Sequence, residues 1–210
     1  EVLRAGVDVT WGPVAGYLSA LGNSRGINVG ALIGHSTVRH YVMGEESLER
    51  AANPEEIEDM REAVREGMLA GALGLSFSTN PNRLILEGRT VPASISMASH
   101  EERMAVADVL GELGIGTFQK DVILTPPEEV FSPLLFAKEI SGRTGRPCSY
   151  NFIAQLFAEP EQWKEQLQRA EDAYHEGYRI YPMCLALPAG ARFTFGHLTN
   201  MLGGTAIAQL

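Results

Sequence analysis

Five apolar runs of strand length, separated by amphipathic stretches of helical length, constrain this chain more than any other feature of its sequence. They are "NVGALIG" (28–34), "ALGLSFS" (72–78), "GTFQKDV" (116–122), "PCSYNFI" (147–153) and "RIYPMCL" (179–185). Between them the apolar period changes from that of a strand to that of a helix. After Asn53, a cap residue, Pro54 suits the first helical position and Glu55 and Glu56 complement the helix dipole, with Ile57, Met60, Val64 and Met68 as the buried stripe. Ser99 and Glu102 form a capping-box pattern ahead of Met104, Ala107, Leu110 and Leu113, and Gly114 and Gly116 end that helix. A third helix is predicted from near Pro126 and Pro127, with Val130, Leu134, Leu135 and Ile140 facing inward, and a fourth from Pro160 to Gly177 with the face Trp163, Leu167, Ala170 and Tyr174.

Strands that alternate with helices predict parallel neighbours joined by right-handed crossovers, hence an α/β fold. No G-x-G-x-x-G follows a strand and no G-x-x-x-x-G-K-[ST] occurs, so the phosphate fingerprints of an open nucleotide-binding sheet are missing. The expectation is therefore a TIM-type (β/α)8 barrel. About five β/α units are too few to close it, so residues 1–210 are read as the central part of a single incomplete barrel. The first and last strands and any accessory β domain would lie outside the chain. A first residue that is Glu rather than Met, and a last stretch "GGTAIAQL" with no cap, carry the same expectation.

Composition narrows the function classes. The 210 residues are 45% hydrophobic, enough for a real core. Lys and Arg number 17 against 26 Asp and Glu, and a formal charge of -9 argues against a nucleic-acid partner. Cys148 and Cys184 are far apart and in no C-x-x-C spacing, which suits a reducing cytoplasm and gives no disulfide framework or structural zinc site. No apolar run approaches the roughly 18 residues of a membrane span, and no signal peptide is evident.

Barrel chemistry is carried where strands end and run into the following loops. That rule selects His35, Ser36 and Arg39 after the first strand, and Ser78, Thr79, Asn80 and Arg83 after the second. It selects Gln119, Lys120 and Asp121 after the third, and Asn151 and Gln155 after the fourth. A guanidinium at Arg39 can clamp a carboxylate, or it can steady the loop "HYVMGEE" through Glu45 or Glu46. His35, His40, His100, His175 and His197 include no H-x-H and no H-E-x-x-H, so a metal site complete within this chain is not expected. No G-x-S-x-G elbow occurs, and both cysteines fall in apolar strands, which gives serine or cysteine nucleophiles little support.

Three motifs in order, G-H-S-x-x-R followed by V-M-G (34–44), E-E-I-x-x-M (55–60) and G-A-L-G-x-S (71–76), resemble the N-acyl-D-amino-acid deacylases, the D-aminoacylase branch of the amidohydrolase superfamily. The likeness runs from about Trp11 to Tyr181. It implies a (β/α)8 barrel with zinc at its C-terminal mouth, hydrolysis of a non-peptide C–N bond and a small-molecule amide substrate such as an N-acyl-D-amino acid. The H-x-H pair, the cysteine and the aspartate of that family do not map onto this chain, so the zinc ligands are expected outside it. Two further family histidines fall where Gln119 and Asn151 stand, and the "STGL" loop of the family is replaced by "STNPNRL". The resemblance leaves two readings open: a divergent metal-dependent amidohydrolase, and a catalytically silent barrel that binds a small ligand or a partner subunit. His35 falls in the pocket wall or in the hydrogen-bond network beneath it. Ser36, Arg39, Ser78, Thr79, Asn80, Gln119, Lys120 and Asn151 complete the candidate substrate-binding set, with Arg39 or Lys120 as a partner for the substrate carboxylate.

Overall fold

The structure, a computed structural model, describes residues 12–22, 26–78, 84–86, 89–91, 97–121, 131–153, 155 and 160–184. Thr79, Asn80 and Arg83, like Pro126, Pro127 and Val130, lie outside the described residues.

All five expected strands form, and they pair in the order in which the chain supplies them. Numbered in chain order, β1 is Leu32–Gly34, β2 Gly74–Phe77, β3 Leu84–Leu86, β4 Arg89–Val91, β5 Thr117–Asp121, β6 Cys148–Ile153 and β7 Ile180–Cys184. The main sheet runs β1-β2-β5-β6-β7, every pair parallel. β3 and β4 form a separate antiparallel pair. The sequence reading missed this pair, whose short runs "LIL" and "RTV" flank Glu87-Gly88 and carry no period-two alternation.

A strand order that never reverses separates the two architectures left open by pattern. Doubly wound sheets reverse at a switch point; here every crossover advances in one direction, and connections that share the right hand of parallel β/α units then put all the connecting helices on one face. The sheet is thus an arc of a β/α barrel, with helices outside and an inner face opposite. The helices are α1 (Val14–Leu21), α2 (His35–Met43), α3 (Pro54–Leu69), α4 (His100–Leu113), α5 (Ser132–Thr144) and α6 (Gln162–His175), with a 3-10 turn at Gly44–Leu48.

Strand alternation sorts the residues of the arc into rows. Ile33, Leu75, Phe118, Cys148 and Ile180 are in register, each at 4% exposure or less, and face the helices. The next row, Gly34, Ser76, Gln119, Ser149 and Tyr181, faces inward and is half-buried or exposed. Phe77, Lys120, Tyr150 and Pro182 return to the helix side, and Asp121, Asn151 and Met183 form the inward row at the C-terminal edge. The period of two fixes this sorting once one row is buried.

Local signals place most helices as expected. Asn53 accepts from the Glu56 amide at 2.8 Å while the Glu56 carboxylate accepts from the Asn53 amide at 2.8 Å, a complete capping box. Two stripes need correction. Leu135 is 63% exposed, whereas Leu134, Phe136, Ala137 and Ile140 are buried. On α6 the inward positions are Gln166, Ala170 and Ala173, with Leu167 and Tyr174 exposed. The small alanines let α6 approach the sheet, so the larger residues one position along stand in solvent.

Gly74 sets the closest approach within the sheet, since a Cβ there would stand 1.8 Å from the Thr117 carbonyl oxygen. Gly74→Ala therefore pushes β2 off β5. It is expected to cost about 3 kcal/mol or more, the upper range for overpacking, read as a loss of Tm and chemical-denaturation midpoint. An unchanged midpoint would contradict this packing.

Candidate functional site

The candidate residues separate into a buried group behind the sheet and a group on its inner face. The first is organised by α2, which starts directly from β1: His35 is the first helical residue rather than the start of a loop. His35 and Arg39 are four residues apart and so share one face of that helix. That face meets the first turn of α4, where Ser99 caps the helix by accepting from the Glu102 amide at 3.0 Å. The Glu102 side chain does not close the expected capping box. It turns inward, with Oε1 2.8 Å from His35 Nε2 and Oε2 accepting from Arg39 Nη1.

His35, Arg39 and Glu102 are all fully buried. Arg39 Nη2 also donates to the carbonyls of Ser47 at 3.2 Å and Arg50 at 3.0 Å, which ties the 3-10 turn to α2. The loop ion pair expected between Arg39 and Glu45 or Glu46 is not formed. Arg50 takes Glu46 instead, and Glu56 at 2.6 Å. The His35 ring lies 5.1 Å from that of Phe77, tilted by 45°. Its Nδ1 has no hydrogen-bond partner among the described residues.

Titration of this group follows from burial. Loss of water lowers the His35 pKa, against the opposing pull of Glu102, so the ring is held neutral. For Glu102, burial acts to raise the carboxyl pKa, but the hydrogen bonds and charges of His35 and Arg39 prevail and hold it below the ordinary value.

The second buried group lies at the C-terminal ends of β2 and β5. Lys120 belongs to a helix-facing row and is fully buried; its Nζ donates to the Asp121 carbonyl at 2.9 Å and to the Asp121 carboxylate. Burial lowers its pKa, partly offset by Asp121. Asp121 faces inward with its side chain 32% exposed, and its other carboxylate oxygen accepts from the Ser78 hydroxyl. Neither Arg39 nor Lys120 is exposed, so each cation is spent on a carboxylate of the chain itself.

Gln119 and Asn151 stand on the inner face, half-buried, and their side-chain amides make no hydrogen bond among the described residues. Ser36 is half-buried in the first turn of α2. Sequence reasoning read Glu102 only as part of a capping box, and selected Asp121 at a strand end without keeping it in the candidate substrate-binding set. Both were readable from spacing: Glu102 lies on the buried stripe with Val106 and Val109, and Asp121 alternates with Lys120 and shares the parity of Gln119.

Among the described residues no group of three or more His, Cys, Asp or Glu side chains is placed to hold a metal ion. His100 is exposed against Glu139 at 2.8 Å, and His175 is exposed at the end of α6. Burial pushes the Cys148 thiol up to about 12, which makes it a poor nucleophile, and Cys184 is exposed at the end of β7 rather than inside the strand. No helix among the described residues is long and apolar enough to cross a membrane.

No family model matches the chain. A D-aminoacylase of Alcaligenes xylosoxydans xylosoxydans is 39% identical over 77 residues, which are 36% of this chain and 16% of that protein. The fold is shared with solved structures of the same kind. A D-aminoacylase with a binuclear metal centre superposes with a TM-score of 0.66 at 23% identity, over 84% of this chain and 34% of its own. The N-acyl-D-glutamate deacylase of Bordetella bronchiseptica, complexed with zinc and a phosphonate inhibitor, gives 0.69 at 19%, over 89% and 37%. The chain thus spans about a third of the length of these structures. Its likeness to the D-aminoacylase branch rests on both sequence and fold.

The buried group generates a stability prediction. Glu102→Ala or Arg39→Ala leaves an unpaired charge inside and should cost about 3–5 kcal/mol, read as a fall in Tm. Wild-type stability should also fall on acidification. His35, with its folded pKa lowered, destabilises the fold progressively as pH drops below about 6.5, and Glu102 does so again below its unfolded value near 4.3. His35→Phe should flatten the upper part of that profile; an unchanged profile would contradict a buried neutral imidazole.

Proposed function

We propose, from this partial likeness to the D-aminoacylase branch, that the chain is the central part of an amidohydrolase that cleaves a non-peptide C–N bond in N-acyl-D-amino acids. In this reading the inner face of the arc is one wall of the substrate site. Gln119 and Asn151 contact the amide substrate, Ser78 borders it at the end of β2 and Ser36 from the first turn of α2, and Thr79 and Asn80, next in sequence after Ser78, complete the set. His35, Arg39 and Lys120 support that wall from behind.

The observation that carries the proposal is the pair of half-buried side-chain amides on the inner face, Gln119 and Asn151, with no hydrogen bond among the described residues. Amides that no other described group of the wall occupies stand available to exchange their water for the polar groups of a ligand. Side-chain amides both donate and accept, which suits a substrate that presents a carbonyl, an N–H and a carboxylate.

The zinc that the relatives suggest does not fit the described side chains, among which no three His, Cys, Asp or Glu groups converge. Its ligands, in this proposal, belong to residues outside the chain. The alternative, a silent barrel that binds a small ligand, draws on the same two positions: amides stand where the family resemblance implies histidines.

Turnover separates the two. The intact protein, incubated with N-acetyl-D-methionine, is expected to release acetate, to prefer the D over the L enantiomer, and to lose the activity to a chelator with recovery on added zinc. Gln119→Leu should lower kcat/KM about tenfold, equivalent to ~1.4 kcal/mol. Intact protein that holds no metal and turns over no member of a broad N-acyl panel would overturn the hydrolase and leave the silent binder.

A further inference from the structure

We infer that Arg103 binds the carboxylate of the substrate from the rim at the C-terminal end of the sheet. The inference rests on the amide-substrate reading above and supplies the carboxylate partner that the buried Arg39 and Lys120 do not.

The position of Arg103 follows from that of its neighbour. Glu102 reaches His35, the first residue after β1, with Oε1 2.8 Å from Nε2, so the first turn of α4 stands level with the C-terminal ends of the strands. Arg103 is the next residue in that turn. Its Nη2 donates at 2.6 Å to the carbonyl of Ala98, which precedes the Ser99 cap, and this bond folds the side chain back over the start of the helix. Its charge acts both on His35 at the exit of β1 and on Lys120 near the end of β5. The guanidinium therefore sits between those two exits, at the end of the arc where barrel ligands bind.

Its pairing is incomplete in a way that the other cations at this end do not share. Arg39 has Glu102, Arg50 has Glu46 and Glu56, Lys120 has Asp121, and Lys164 has Glu161. Arg103 has no carboxylate within ion-pair distance among the described side chains. The bond to Ala98 is its one side-chain hydrogen bond there, and its Nε is buried with no partner. Arg146 and Arg179 also lack a carboxylate among the described side chains, but they precede β6 and β7 and so belong to the opposite end of the sheet.

A guanidinium so placed is held against opposing forces until an anion joins it. Burial, opposed by Glu102 and helped by Arg39, holds its pKa below the usual arginine value, and the first turn of a helix disfavours a cation further. The group stays charged at neutral pH and is only half-buried, so an anion reaches it from solvent. A planar fork with unused N–H donors pairs best with a carboxylate, through charge-assisted hydrogen bonds. The substrate class proposed above presents that group beside its amide. Gln119 and Asn151 then take the neutral amide, and Arg103 takes the acid.

The test uses the intact protein and two ligands, N-acetyl-D-methionine and its carboxamide analogue, which keeps the N-acyl amide and removes the charge. Binding is measured by calorimetry and, in parallel, turnover by acetate release. Wild type should prefer the acid. Arg103→Gln should weaken the acid about 10- to 100-fold, in Kd and in kcat/KM, while the carboxamide changes no more than about threefold, so the preference collapses. Arg103→Lys, which keeps the charge but not the fork, should fall between, and it decides the matter where the glutamine variant does not fold. A merely structural arginine would instead lower Tm and weaken both ligands alike. Equal losses for both ligands, or an intact preference in both Arg103 variants, would overturn the inference. Acid binding that depends on Arg103 without any turnover in wild type supports the recognition role and removes the hydrolase. Turnover whose preference for the acid ignores Arg103 does the reverse, and wild-type protein that neither binds nor hydrolyses the acid overturns both.

Discussion

A fully buried carboxylate persists in a folded chain only where cations and donors share it, and Glu102 meets that condition through His35 and Arg39. Much of the C-terminal end of the sheet depends on this contact. His35 is the first residue after β1, Arg39 lies one helical turn further on, and Glu102 is in the first turn of α4, in the next crossover and 63 residues from Arg39 in sequence yet in contact with it. The contact therefore locks the exit of β1 to the helix that precedes β5. Arg39 extends the lock to the Ser47 and Arg50 carbonyls, and Phe77 closes it from the sheet side. The motif G-H-S-x-x-R thereby acquires a physical meaning: its glycine ends the strand, and its histidine and arginine reach back to a common acid.

The sheet then divides the polar residues by parity. Two rows behind the strands carry Leu75, Phe118 and Cys148, and Phe77, Lys120 and Tyr150, all buried against helices. The two rows in front carry small or polar groups, Ser76, Gln119 and Ser149, then Asp121 and Asn151. Cations end up behind and amides in front, with Asp121 joining the two sides through its pair with Lys120. Gly74 has no side chain because the Thr117 carbonyl occupies the space one would need, and the close packing of β2 on β5 follows.

Much of this was legible in the sequence. Five strands, the caps at Asn53 and Ser99, and the β/α alternation all follow from periodicity and turn chemistry, which are local; the unreversed strand order came from the structure. The fate of His35 and Arg39 was not, because it depends on an acid 63 residues from Arg39 whose position also satisfied a local capping pattern. A tertiary ion contact outweighed the local one. The burial of Lys120 has a simpler reason: strand alternation puts it on the side of Phe118, and applying that period to "TFQKD" sends Gln119 and Asp121 to the front. On α6 the stripe shifted because alanines, not the larger apolar residues, set the approach to the sheet. What separates the active relatives from a silent binder is not legible at all from Gln119 and Asn151, since side-chain amides serve either.

The central claim is that ligand chemistry belongs to the front of the sheet and structural chemistry to the back. A crystal structure of the intact protein with a hydrolysis-resistant N-acyl-D-amino-acid analogue tests it most directly. The account predicts ligand atoms within hydrogen-bond distance of Gln119 and Asn151, and His35, Arg39 and Lys120 still joined to Glu102 and Asp121 without touching the ligand. A ligand carboxylate seated on Arg39 or Lys120, with the inner-face amides left vacant, would contradict it.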